Sequence, residues 1–188
     1  MEKSEAIRDA ATLILRRGDR VLMGRRGGRA VFMPSRLVFP GGAVDAVDLG
    51  ADVPLTPLCR ARLAVGSDCP PGAVAAAALR ELTEETGQTL RHSAPLRFIF
   101  RAITPRGATR RYDARFFLAD ADDLATDPDR FGDADEELTE LGWRRIDEAA
   151  QQNLPFPTRL ALAEAAATPD PAGVPFLQSN EARITRIA

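Results

Sequence analysis

Histidine is nearly missing from this chain. Its 188 residues hold a single one, His92, beside two cysteines, one tryptophan and one tyrosine. One histidine cannot build a histidine-rich metal centre, and nothing around His92 suggests a Ser-His-Asp triad. It reads as a surface or loop residue. Cys59 and Cys69 form no CxxC pair and read as two reduced thiols, neither zinc ligands nor a disulfide. A dominant charge is missing as well. With Lys+Arg at 25 and Asp+Glu at 27, the formal charge is -2, which gives no support for a general nucleic-acid binder. No apolar run approaches the roughly 18 residues of a membrane helix. The charged start, MEKSEAIRDA, lacks the apolar core of a signal peptide. A cytoplasmic protein is expected, with no membrane or nucleic-acid partner.

What is present is globular. Hydrophobic residues make up 45% and charged residues 28%, and the length suits one domain with a real core. Residues 9–26 read as two strands around a Gly18-Asp19 turn. RLVFPGG reads as a short strand stopped by Pro40 and the glycines. A proline-rich stretch follows at 49–72, with a short helix expected in LCRARLAVG. AVAAAALRELTEETG reads as a strong helix closed by Gly87. LRFIFRAITP, RRYDARFFLAD and ELTELGWRRI read as strands, RIDEAAQQ and TRLALAEAAA as helices, and the tail is ambiguous. This pattern predicts an α/β (α+β) fold with a mixed sheet.

The strong helix puts its acids in unfavourable places. Glu81, Glu84 and Glu85 fall within an arc of roughly 100° on one face. Ala75, Leu79, Leu82 and Thr86 make a separate stripe for packing, so the acids are expected to flank the core. Like charges at i and i+4 repel, and Glu84 and Glu85 sit at the negative end of the helix dipole. A solvated acidic face would explain this. A bound divalent cation would reverse both penalties, because hard cations take carboxylate oxygens.

Upstream, FPGGAVDAVD places adjacent glycines where a backbone can come close to something charged. This stretch and RELTEETG together resemble the Nudix box of the Nudix hydrolases, G-x5-E-x7-R-E-U-x-E-E-x-G-U, where U is a bulky apolar residue. Gly42 takes the first position, and Arg80, Glu81, Glu84, Glu85 and Gly87 match the second half. Asp48 stands where the box has glutamate, keeping the charge with a shorter reach. Gln88 replaces the last apolar residue. Roughly 24 extra residues separate the two halves, a loop lengthening whose entropy cost grows slowly.

The interrupted box, with ITPRGATRRYDARFFLA downstream, resembles the coenzyme A diphosphatases and their bacterial relatives. Their upstream signature, L-L-T-x-R…R-x3-G-x3-F-P-G-G, is met by VLMGR and FPGG, but Ser35 and Val31 replace its glycine and second arginine. The resemblance implies a Nudix fold: an α/β/α sandwich with a loop-helix-loop box, one domain over 1–188, and an insertion at about 49–72. It implies metal-dependent cleavage of a nucleoside diphosphate linked to another group, with coenzyme A or acyl-CoA favoured. ADP-ribose, NADH or a non-catalytic ligand sensor are the alternatives. Mg²⁺ or Mn²⁺ would be held by Glu81, Glu84, Glu85 and the Gly41 carbonyl, with Arg80 orienting the glutamates. Of Glu136, Glu137 and Glu140, Glu137 is taken as the additional catalytic acid. Arg106, Arg110 and Arg111 are the candidate phosphate contacts, with a solvated loop as the competing reading. The insertion is expected to cap the substrate entrance or to support a homodimer interface.

Overall fold

The computed structural model describes residues 6–27, 35–131, 138–168, 172–178 and 183–188. β1 (Ile7–Arg17) and β2 (Arg20–Arg26) form the expected antiparallel hairpin. Its turn uses Gly18 at φ +60°, a conformation open to glycine without steric cost.

The RLVFPGG segment departs from the expected single strand. β3 (Leu37–Val38) pairs with β2, whereas the glycines themselves begin β4 (Gly41–Ala43), which pairs with β1. Pro40 marks the change of partner. It has no N–H for a ladder, but its carbonyl accepts from the Leu13 amide at 3.0 Å. The glycines are therefore sheet, with an edge left over.

After β4 the chain enters the helices α1 (Pro57–Ala64) and α2 (Pro71–Thr86), then β5 (Arg97–Ile103) and β6 (Arg111–Asp120). β7 (Leu138–Arg145), α3 (Ile146–Ala150) and α4 (Phe156–Ala166) follow. The ambiguous tail supplies a last hairpin, β8 (Val174–Gln178) and β9 (Arg183–Ile187). The sheet runs β3-β2-β1-β6-β5-β8-β9, with β4 added on β1 and β7 on β2. It is mixed, because β1 and β6 run parallel, as do β5 and β8.

Strand alternation divides the core in two. Leu13 and Leu15 of β1 pack with Leu63 of α1 and Ala75, Ala78 and Leu82 of α2. Ile14, Val21 and Met23 face the other way, towards Ala149 of α3 and Ala161 and Leu162 of α4. The sheet lies between helices, as expected. No helix among the described residues is long and apolar enough to cross a membrane.

The stretch at 49–72 belongs to this core. Thr56 caps α1, its Oγ1 accepting from the Cys59 amide at 3.1 Å. Val53, Cys59 and Leu63 are buried among the residues of the first core cluster. At Gly72 an added Cβ would meet the Ala51 carbonyl oxygen at 2.4 Å, so the start of the stretch passes closely against its end. His92 is exposed in a turn, as expected. Cys59 and Cys69 are free thiols, both pushed up in pKa by burial.

Candidate active site

The site forms where α2 meets the free edge of β4. Pro40, Gly42 and Val44 face β1: the Pro40 carbonyl accepts from Leu13, and the Val44 amide donates to the Asp9 carbonyl at 2.9 Å. Gly41 and Ala43, the alternate residues, turn their N–H and C=O groups outwards. The Gly41 amide donates to Glu85 Oε2 at 2.8 Å, and the Ala43 carbonyl accepts from Arg80 at 3.0 Å. An added Cβ at Gly42 would lie 2.3 Å from Glu81 Oε1, so only glycine lets that carboxylate rest on the strand. The two halves of the interrupted motif are thus in direct contact.

Burial separates the three glutamates. The sequence placed all of them beside the core, but Glu85 is buried at 2% exposure, because the Gly41 N–H gives its carboxylate a partner inside. The Glu81 side chain is 13% exposed and that of Glu84 45%. Leu79, expected in the packed stripe, is only partly buried.

Arg80 is the hub of the cluster. Its NH1 donates to Glu81 Oε1 at 2.8 Å and to Glu84 Oε2 at 2.9 Å. Its Nε and NH2 reach the two oxygens of Asp48 at 3.1 and 3.0 Å. The shorter aspartate reaches because the 3-10 turn at Ala46–Asp48 carries it inward, to 3% exposure. Hydrogen bonds to Asp48, then Glu81, raise the Arg80 guanidinium above its ordinary value against the effect of burial. It stays charged.

Burial raises the Asp48 carboxyl, but hydrogen bonds from Arg80 and the Asp45 amide outweigh it and hold the group low. A carboxyl held low when folded stabilises the protein above its unfolded pKa, and that stability drains as pH falls through the folded value. The parent should therefore lose stability as pH drops below about 4, with Asp48→Asn less stable at neutral pH and flatter on the acid side. Melting temperatures measured from neutral to acidic pH check this, and identical acid slopes would count against it.

As they stand, no three acidic side chains among the described residues converge closely enough to ring an ion. Arg80 lies between Glu81 and Glu84, and Glu85 turns to Gly41. The donor chemistry nevertheless fits a hard divalent cation: three carboxylates and a glycine carbonyl on one strand edge, all oxygen. Arg80 is the cation that balances them in this arrangement.

The remaining expected residues are dispersed. Arg106 and Arg110 lie between β5 and β6, and Arg111 opens β6, opposite Ile7 of β1. Arg111 Nε donates to the Thr104 carbonyl at 3.3 Å. This end of the sheet also carries Arg8, which pairs with Asp45 at 3.4 Å. Glu136 and Glu137 lie outside the described residues. Glu140 is in β7, in the left-handed region at φ +51°, and pairs with Arg25 at 3.1 Å.

Sequence reading missed a second charged group on the α2 face. Asp113 and Arg115 of β6 and Arg101 of β5 are buried there, joined to Asp9 of β1 and Ser67. Asp113 and Arg115 sit two apart in β6, on the same face as the apolar Phe117 and Ala119, and that period was the available signal.

Glycine strand, glutamate helix and mixed sheet together define the class of the Nudix pyrophosphohydrolases. The NUDIX domain model matches residues 6–165, and the chain belongs to that family. Such enzymes generally use divalent metal ions. The fold recurs in a NUDIX hydrolase from Alicyclobacillus acidocaldarius, 24% identical over 88% of this chain and 94% of that one, with a TM-score of 0.67. A MutT NUDIX hydrolase from Burkholderia pseudomallei is 24% identical, covering 85% of this chain and 98% of its own, at a TM-score of 0.58. The NUDIX domain of NrtR from Shewanella oneidensis, solved with ADP ribose, is 13% identical over 87% and 88%, at a TM-score of 0.58. No match was found among curated proteins.

Proposed function

We propose that the protein is a metal-dependent diphosphatase acting on coenzyme A or an acyl-CoA, releasing 3′,5′-ADP and (acyl-)4′-phosphopantetheine. The observation that carries the hydrolytic reading is the seating of Glu85 on the Gly41 amide and of Glu81 on Gly42. Glu81, Glu84, Glu85 and the Gly41 carbonyl would hold Mg²⁺ or Mn²⁺. When bound, such an ion neutralises the diphosphate, polarises its phosphoryl oxygens and lowers the pKa of a coordinated water. Arg80 orients Glu81 and Glu84, the role of an outer partner. Glu84, the most exposed of the three, is the one best placed to exchange Arg80 for another cation. Glu137 is retained as the additional acid, and Arg106, Arg110 and Arg111 as contacts for the extra 3′-phosphate of coenzyme A. Water adds across the P–O–P bridge and leaves one phosphate on each product. The chain is read as one domain, interrupted at about 49–72, working in the cytoplasm as a monomer or homodimer.

The coenzyme A reading draws support from Ser35. At the place of the signature's glycine, this serine takes φ +58°, the left-handed conformation glycine adopts most easily. The backbone shape suits that glycine although the residue differs. ADP-ribose is the second reading, favoured by the shared fold of the NrtR domain solved with that ligand.

A panel of coenzyme A, an acyl-CoA, ADP-ribose, NADH and nucleoside triphosphates, each with Mg²⁺ and Mn²⁺, tests this. The expected products are 3′,5′-ADP and 4′-phosphopantetheine. Ready cleavage of ADP-ribose with neither of those products would move the assignment to the second reading. A folded protein that cleaves nothing would leave a ligand sensor.

A further inference from the structure

Two guanidinium groups buried in the sheet grip the end of the insertion. Arg101, 2% exposed, binds Asp113 through Nε at 2.8 Å and NH2 at 2.6 Å. Its NH1 and NH2 also donate to the carbonyls of Val65 and Gly66, at 2.6 and 3.0 Å. Those carbonyls end α1, where the helix dipole favours a cation. Arg115 is fully buried. Its NH2 donates to Ser67 Oγ at 2.6 Å, and its NH1 donates to Asp9 Oδ1 and to the Asp113 carbonyl. Burying two guanidinium groups is costly, and replacing such groups with apolar ones is often neutral or better. Holding a particular arrangement is the best attested reason to keep them.

Asp9 gives that arrangement a destination. Its side chain meets Arg115, and its backbone carbonyl accepts the Val44 amide directly after the Gly41–Ala43 strand. Ser67, Arg115, Asp9 and Val44 thus form a continuous path from the insertion to the glycine strand. The other end of the insertion is fixed to the same place, through Asp48 and Arg80. Both ends of the inserted segment bear on the strand that presents Gly41 to Glu85.

We propose that Arg115 is a positioning residue of the hydrolytic reaction. By joining Ser67 to Asp9, it uses the insertion to set where β4 lies against Glu81 and Glu85. This rests on the diphosphatase reading for its kinetic consequence but not for its structural one, so the two can fail separately.

Ser67→Ala removes one partly buried end of the path without emptying the core, and Asp9→Asn weakens the other. Amide hydrogen exchange in the metal-free protein should be faster at Val44 and Gly42 in both variants. On the best substrate from the panel, kcat should fall by roughly tenfold with KM little changed, the size seen when partners of metal ligands are removed. Ser67→Thr, which keeps the hydroxyl, should restore both. Unchanged exchange at Val44 would overturn the proposal. So would a raised KM with parental kcat, because the insertion would then contact substrate instead of placing the strand. If the parent cleaves no substrate, the diphosphatase reading falls, and the exchange measurement alone decides the positioning role.

Discussion

Glu84→Gln is expected to lower kcat by at least about a hundredfold while the fold survives. A charged metal ligand supplies several kcal/mol of transition-state stabilisation, and each 1.36 kcal/mol is tenfold in rate. The cost to stability is small. The variant gives up one exposed ion pair with Arg80, while repulsion from the neighbouring glutamates and from the helix end is relieved. Its melting temperature without metal should stay close to the parent's. Near-parental turnover at saturating Mg²⁺ and Mn²⁺ would remove Glu84 from the site. Glu85→Gln should behave differently, although nothing in the sequence separates the two. Its carboxylate is buried on the Gly41 amide, so the amide side chain should lower stability as well as turnover.

Removing residues 50–70 and joining the ends with a short linker is expected to prevent cooperative folding. Read from sequence, the insertion caps the substrate entrance or supports a homodimer interface, and its loss would alter KM or oligomeric state. The structure gives it Val53, Cys59 and Leu63 in the core, and its carbonyls and Ser67 satisfy Arg101 and Arg115. Excision would remove that apolar packing and strip the Val65, Gly66 and Ser67 acceptors from two buried guanidinium groups, which would keep their carboxylate partners. Each buried donor left unsatisfied costs about 1–3 kcal/mol. A milder test is Leu63→Ala, which should cost about 2–5 kcal/mol. Thermal unfolding reads both. A shortened protein with a sharp transition near the parental melting temperature would make the insertion a passive loop.

Much of this was legible because it is written in local patterns. The hairpin, α2 with its Gly87 cap and the β5–β6 pair follow from periodicity and turn residues. The contact between the glycines and the glutamates was expected through the interrupted motif. Three things were hidden, each because long-range pairing decides it. Gly41 and Gly42 form a strand only because β1 has an edge for them. Glu85 is buried only because the Gly41 N–H turns away from that pairing. Arg101 and Arg115 are tolerated inside because a segment distant in sequence supplies acceptors. The tail hairpin was illegible for a related reason, since it is completed by the edge of β5.

The parallel pairing of β1 with β6 governs when the protein can first work. Ile7 lies opposite Arg111, so the strand that receives β4 finds its other neighbour roughly a hundred residues later, a high-contact-order arrangement that folds slowly. A chain emerging from the ribosome at about 5–20 residues per second waits seconds for that strand, with the glycines and α2 already made. Through that interval the half-built sheet leaves one edge of β1 open to other chains. Crowded synthesis should therefore lose molecules to aggregation before any of them becomes an enzyme, and slower, cooler expression should recover them.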